Sequence, residues 1–408
     1  MNKRDSAHSD VAIGGLEVTL GDSVAGDAPS RATAPDPDMA SKARAPLEAA
    51  GSKPESHWRL VTRRFLRSRS AIMGALLVLA LIMSAVFADF LSPYDPTLRD
   101  SANFYMPPNA IHFVGKDGFS PVPYVHPLET TFDPNTFAAI FASDTSKECH
   151  FQFLGQGWRY RFLGFEFDRH LLTPAADCAM NVLGTDSLGR DMLSRILVGS
   201  RLTLIMAGLV VAVSITIGTL VGLVSGYFGG IVDLLLQRVT EFILALPELP
   251  FFLALVAIMP RNASPTTVFF LLAAILSLLK WAGLAREVRG KTLALSRVDY
   301  ILSAEALGAG NARIILRHLL PNIISHVIVV TTLMIPQIIL AESFLSFLGV
   351  GVQPPLVSWG LLLNAAKDMQ NLGSYPWMLM PVGCILIAVL GFNLFGDGLR
   401  DAIDPYAN

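Results

Sequence analysis

Five stretches of this chain carry no Asp, Glu, Lys or Arg: residues 71–88, 202–232, 262–279, 319–340 and 369–396. A helix needs about 20 mostly apolar residues to cross the hydrocarbon core of a bilayer. Inside that core every backbone polar group must be bonded internally, so a continuous apolar run reads as a helix. The run 202–232 is too long for one span and is broken by the glycines of "SGYFGG", where a helix ends. A sixth run, 242–260, contains Glu248, Pro247 and Pro250 and is still long enough to cross. The chain is 52% hydrophobic and 16% charged, against about 25% charged in a soluble domain. The pattern predicts an all-α polytopic membrane protein with six transmembrane helices, near 71–91, 202–224, 232–259, 264–284, 323–347 and 376–396.

Charge placement orients these spans. Arg59, Arg63, Arg64, Arg67 and Arg69 precede the first one, whereas residues 92–106 hold only Arg99. The excess of basic residues puts the N-terminus in the cytoplasm, and six spans return the C-terminus there. The same parity makes 285–322 cytoplasmic, and it carries Arg286, Arg289, Lys291, Arg297, Arg313 and Arg317. The first apolar core starts at residue 71, too far in for a cleaved signal peptide, so the first span is expected to stay as an anchor.

The resulting organisation has five parts. Residues 1–56, rich in Ala, Ser, Asp and Pro, are expected to be a disordered cytoplasmic tail. A basic flank and the first span occupy 57–91, and an extracytoplasmic insert occupies 92–181. An amphipathic interfacial helix is expected at 182–201, where Leu188, Met192, Leu193, Ile196 and Leu197 share a face. A five-helix core with the loop 285–322 fills 202–408. Within the insert, "HFQFLGQGWRYRFLGFEF" alternates well enough for a β-hairpin turning at "GQG". Cys149 and Cys178 both lie in this insert, in a compartment where a disulfide can persist. His150 and His170 are near them, but the spacing fits no compact metal motif, and no metal site is expected. Cys384 reads as packing in the last span.

Nothing in the chain matches G-x-x-x-x-G-K-[ST], G-x-S-x-G or H-E-x-x-H, so it lacks the phosphate loop of an ATPase and the common hydrolase signatures. Ionisable residues at membrane depth are functional candidates by default. Here they are Glu241, three residues after Arg238 and able to pair with it; Glu248, beside two prolines; and Glu342. All three glutamates are candidates for a translocation path. The segment 299–322 reads as helix, tight turn, helix. Tyr300, Ala304 and Leu307 recur at helical spacing, Gly308 and Gly310 form the turn, and Asn311 is placed to cap the second helix. Arg313 and Arg317 are four apart, and Pro321 marks the start of the next span. The small residues Ser303, Ala304 and Ala306 let another surface approach closely. Two readings stay open: a docking handle for a cytoplasmic partner, or a basic loop that serves only orientation.

This segment resembles the cytoplasmic coupling signature of ABC importer permeases, Glu-Ala-Ala, three residues, Gly, then a downstream Ile-x-Leu-Pro. With that glycine at Gly308, Pro321 follows thirteen residues on, in register. The Glu-Ala-Ala positions fall on Leu302, Ser303 and Ala304, and the nearest acidic residue, Glu305, is displaced. "LGTDSLGRDMLSRILVGSRLTL", "ESFLSFLGVGVQPPLVSWG" and "NLFGDGLRDAIDP" resemble the C-type subunit of the dipeptide/oligopeptide branch. The resemblance covers about 58–91 and 181–408.

It implies a type I importer arrangement in the bacterial inner membrane. A second, B-type permease subunit, two ATP-binding subunits that hold ATP and Mg, and an extracytoplasmic solute-binding protein are the expected partners, with lipid around the chain. The chain itself binds no cofactor, catalyses nothing and engages no nucleic acid. Tyr300, Ser303, Ala304, Glu305, Leu307, Gly308, Arg313, Arg317 and Pro321 form the expected ATPase-coupling loop. Peptides are the family's usual cargo; oligosaccharides or nickel are alternatives. An ion-coupled secondary transporter using Glu241, Glu248 or Glu342, or a membrane enzyme or receptor with a working insert, is the competing class. The first of these is favoured by inverted repeats, and none is evident.

Overall fold

In the computed structural model the described residues are 57–404, except 116–117, 133, 136–138, 176–177, 261 and 368–372. The tail expected at 1–56 lies outside them. Helices dominate. After α1 (His57–Phe65) come α2 (Arg69–Val86) and the short α3 (Ala88–Leu91). Then follow α4 (Met192–Phe228), α5 (Gly230–Ala245), α6 (Glu248–Ala257), α7 (Pro265–Leu295) and α8 (Asp299–Ala306). The chain ends with α9 (Asn311–Arg313), a π-helical stretch (Ile314–Leu319), α10 (Leu320–Phe347), α11 (Trp359–Ala365) and α12 (Met380–Ile403), the last led in by a 3₁₀ turn at Pro376–Leu379.

Among the described residues five helices are long and apolar enough to cross a membrane, or six if the bent pair α5–α6 is one span. The third span expected over 232–259, with its prolines at 247 and 250, is sharply bent: α5 and α6 meet at 86°. Leu246, which precedes Pro247, is extended (φ −73°, ψ 132°). A residue before proline is driven out of the α region, so the helix ends there.

The separate interfacial helix expected at 182–201 is also replaced. Residues 182–191 are loop, and from Met192 the helix runs 37 residues without a break. The Asp191 carboxylate caps it by accepting from the Ser194 N–H at 2.7 Å. Charges such as Arg195 face protein rather than an interface, which the apolar spacing alone could not distinguish.

α4 and α7 pack closely along their length. Gly218, Gly222 and Gly226 lie one turn apart on α4, and a Cβ at each would come within 2.8 Å of the Trp281 carbonyl, 2.6 Å of the Ala285 carbonyl and 2.6 Å of Thr292 Cβ. Small residues at this spacing let helix backbones approach closely in a membrane. The "GTLVGLVSG" run carried that signal in the sequence. Around this pair the core gathers Leu223, Leu272, Leu276, Leu284, Ile338, Ile339 and Trp359, all buried.

Between α3 and α4 the chain forms short antiparallel strands. β1 (Ile111–Gly115), β2 (Gly118–Val125) and β5 (Cys149–His150) make a three-stranded sheet in the order β1-β2-β5. β3 (Leu128–Phe132) pairs with β4 (Ala139–Ser143), and β6 (Gln152–Phe153) pairs with β9 (Leu172–Thr173). β7 (Gln156–Phe162) and β8 (Phe165–Arg169) form a hairpin. Its turn lies at Leu163-Gly164, not at "GQG". Both turn residues have positive φ, 51° and 88°, as a two-residue primed hairpin turn requires. A disulfide joins Cys149 to Cys178. His170 is buried, with one ring nitrogen 2.9 Å from the Asp89 carbonyl oxygen and the other 2.8 Å from that of Trp158.

Candidate functional site

A cavity of about 1090 Å³ lies among α5–α6, α7, α10 and the end of α12. Charges line it at successive depths. Lys280 is the central residue of α7, about 22 Å along the axis from either helix end at 1.5 Å per residue. Its ammonium meets Glu248 at 2.5 Å. Lys280 is largely buried while Glu248 is half-exposed to the cavity. Two turns further along α7, Glu287 faces His326 of α10 at 3.3 Å. Lys291, Asn322, Arg400 and Asp404 then line the far end. The bend at Pro247 is what brings the first turn of α6, and with it Glu248, opposite Lys280.

That far end adjoins the segment 299–322. Asn322 Nδ2 donates to the Tyr300 hydroxyl at 3.2 Å. α8 is pinned by one buried side chain, Ile301, which joins Ile314 and Leu319 in the core. Its C-terminus is a Schellman turn: the Ala309 N–H bonds to Ala304 O at 3.0 Å and the Gly308 N–H to Glu305 O at 2.9 Å. Gly308 sits at φ 82° with open space where a Cβ would be. Ser303 Oγ is occupied by the Asp299 carbonyl at 2.7 Å. The outer face is exposed: Tyr300, Leu302, Glu305 and Leu307, the last 89% accessible, with Arg313, Arg317 and Pro321 beyond the turn.

Asn311 does not cap the second helix. Gly310 holds the cap position, and Asn311 Oδ1 instead accepts from the Tyr227 hydroxyl at 3.1 Å, tying the turn to the end of α4. Pro321 stands in the first turn of α10, as expected of a residue that marks the start of a span, but the helical chain does not begin there. The helix runs from Asn311 to Phe347. Pro321 has no N–H and would clash with a carbonyl one turn back. The π-helical stretch Ile314–Leu319 directly before it, closed by Leu320 N–H on Ile315 O, loosens that turn.

The chain was compared with known proteins. Residues 218–407 match the family of binding-protein-dependent transport system inner membrane components, and 56–108 match the N-terminal transmembrane domain of oligopeptide transport permease C. The oligopeptide transport system permease protein OppC of Haemophilus influenzae is 37% identical over 250 residues, 61% of this chain and 78% of that one. The glutathione transport system permease protein GsiD of Pectobacterium atrosepticum is 33% identical over 348 residues, 85% of this chain and 91% of that one. The chain belongs to the oligopeptide/dipeptide permease family of ABC importers. A solved chain of the MetNI methionine ABC transporter is more distant, at 17% identity and a TM-score of 0.42 over 52% of this chain and 98% of that one. As a member of this family the protein is a multi-pass permease subunit of the inner membrane, and it carries no Walker motif of its own.

Of the three glutamates proposed for the path, only Glu248 lines this permease's cavity. Glu241 is 62% exposed at its side chain and pairs with Arg238 at 3.1 Å, on the surface of α5. Glu342 is sealed in protein. Ser346 and Ser358 each donate to its Oε1 at 2.8 Å, and Ser343 lies 3.4 Å from Oε2. The donation runs one way, because Ser346 Oγ accepts from Val352 N–H and Ser358 Oγ from Leu361 N–H. Glu342 therefore fastens the loop 349–358 to α10. Lys280, Glu287 and His326 escaped the sequence reading. Lys280 closes an apolar run, Glu287 follows it and His326 lies inside the run 319–340, and only the folded pairing shows which of them face one another.

Proposed function

We propose that this chain is the C-type half of a peptide importer, and that the charged cavity is its share of the substrate path. In this reading the chain has six spans, with α5 and α6 as one bent crossing. Both termini and the segment 299–322 face the cytoplasm, and residues 92–181 lie outside. A B-type permease supplies the other half of the path. Of two ATPase subunits, one docks on the α8 turn, and a solute-binding protein delivers cargo to the outer face.

One observation carries the proposal. The cavity runs from the Lys280–Glu248 pair, level with the middle of α7, to the same end of the bundle as the exposed turn. A path that opens toward the motor's docking surface is what alternating access driven from that side requires: the partner holds two states differently and shifts their balance. Cargo with both a free ammonium and a free carboxylate suits a pair that presents one charge of each sign.

The test is reconstitution of the purified transporter in liposomes, with peptide uptake and ATP hydrolysis measured together. Lys280→Met should cut uptake at least about tenfold, a loss of roughly 1.4 kcal/mol of differential interaction, while ATP hydrolysis persists. Gly308→Trp should cut both, because a bulky residue at a positive φ strains the turn. Full uptake in Lys280→Met rules out the cavity as path. Uptake of an oligosaccharide or of nickel, with none of peptides, reassigns the cargo.

A further inference from the structure

We propose that the β7–β8 hairpin is a membrane anchor whose apolar tip seats in the lipid leaflet beside the end of α2. Alternation along β7 puts Trp158, Tyr160 and Phe162 on one face and Arg159 and Arg161 on the other. The register Tyr160↔Phe167, Phe162↔Phe165 and Arg161↔Glu166 extends both faces across β8. The hairpin is thus aromatic on one side and charged on the other.

Its contacts fix which way it points. Trp158 Nε1 donates to the Ser92 carbonyl at 3.4 Å, Leu171 N–H bonds to Phe90 O at 2.9 Å, and Phe162 stacks on Phe87 with ring centroids 5.6 Å apart. Passing from Trp158 to Phe162, the partner moves back from Ser92 to Phe87, toward the membrane span. The tip, Leu163-Gly164, is therefore the part of the hairpin nearest the lipid.

The polar boundary on this side is marked by Asp89, which pairs with Arg201 of α4 at 2.9 Å. Phe87 lies on the span side of that pair. It also continues a helical stripe of α2, Leu76, Leu79 and Met83, which is 61%, 55% and 45% accessible on a membrane-spanning face. Where the stripe ends, the hairpin takes over. Its root is covered by α3 and His170, but at the tip Leu163 is 84% and Phe165 71% accessible. The lipid surface of α2 is thus continuous with the uncovered aromatic face. On the opposite face Arg161 pairs with Glu166 at 3.0 Å, and exposed Arg159 is placed to reach headgroup phosphates. An amphipathic element with this division of faces lies in the interface plane.

The experiment uses the full chain with its co-purifying partners in lipid nanodiscs. Cys384 is replaced by Ser so that Leu163→Cys can carry the one reactive thiol and a nitroxide label. Relaxation by lipid-soluble oxygen is compared with relaxation by a water-soluble nickel chelate. A label at Ala102→Cys is the water reference. It follows Asp100, whose N–H bonds to Leu188 O at 3.2 Å, thirteen residues before the Arg201 level on the chain. The anchor predicts an oxygen-to-nickel ratio at 163 several-fold above that at 102. Equal ratios put the tip in water and overturn the proposal. A label at 163 shielded from both reagents means that a second protein covers the tip, which overturns it equally.

Discussion

The two ends of the helix bundle are finished in opposite ways. At the end formed by residues 182–201 and 349–360, polar groups are buried and bonded within the chain. Asp186 accepts from Leu188 N–H at 2.8 Å and Arg190 N–H at 3.0 Å, pairs with Arg190 at 2.7 Å, and pairs with Arg195. Trp359 and Trp377 direct their indole N–H groups to the carbonyls of Ile196 and Thr185 at 3.1 and 3.0 Å. At the other end, the turn after α8 is held by Ile301, its own backbone bonds and the exposed side-chain bonds of Tyr227 with Asn311 and of Asn322 with Tyr300, while Leu302, Leu307 and Leu316 stand exposed. The closed end completes itself. The open end presents an exposed apolar and basic surface.

The largest effect expected of any substitution falls on the closed end. Asp186→Ala leaves the buried Arg195 guanidinium without its counter-charge, and removing one partner of a buried pair costs about 3–5 kcal/mol. Thermal unfolding in detergent should show it directly. A loss below about 1 kcal/mol, the range of a surface pair, would mean that the cluster is hydrated and the end is not closed. Glu342→Ala comes next. It strips the acceptor from Ser346 and Ser358, for about 2–3 kcal/mol. Glu342→Gln should lose less, since the amide oxygen can still accept. Identical losses in the two variants would show that charge, rather than acceptance, holds the 349–358 loop.

Leu307→Asp reverses the pattern. The side chain touches little, so stability should change by no more than about 0.5 kcal/mol, as for an ordinary surface site. Yet the substitution puts a charge on the proposed docking face, and ATPase subunits should no longer co-purify. Co-purification at the normal level would break the contrast between the two ends.

How far the sequence foretold this contrast depends on the physics at each place. The apolar runs and the arginine asymmetry are properties of composition over twenty residues, so spans and flanks were legible. The turn at Gly308 was legible too, because only a small set of residues tolerates that backbone. The bend at Leu246 was visible as two prolines, but whether prolines kink a span or break it depends on what packs beside it. The closed end was misread as an interfacial helix. Its logic is long-range: Asp186 and Arg195 are bonded by the fold, and Trp377 reaches Thr185 across 192 residues. Glu342 was read as a path residue because a carboxylate at membrane depth demands explanation. The explanation, three serines within reach, lies partly in the next loop. Lys280 and His326 were passed over because one closes a long apolar stretch and the other lies inside one, and their partners come from other helices.

The last test sharpens the closed end by its pH dependence. Asp186 and Asp191 lie five residues apart and are shifted in opposite directions. Burial raises the Asp186 carboxyl, but the Arg195 and Arg190 guanidiniums outweigh it and hold the pKa below the ordinary value. Burial pushes Asp191 up to about 6, despite the bonds from Ser194, and its Oδ1 has no partner. The signs separate the two. Asp186 contributes stability that is present above its unfolded value of 3.8 and is lost as pH falls through its lowered folded value. Asp191, raised in the fold, binds its proton more tightly when folded, so its contribution improves as pH falls from about 6 toward 3.8. Asn is as good an N-cap as Asp and keeps an acceptor for Ser194. Asp191→Asn should therefore match the parent near pH 4, exceed it modestly at pH 8, and flatten the unfolding profile between those limits. A profile unchanged by the substitution would mean that water reaches the Asp191 carboxylate, and that the closed end is open at its rim.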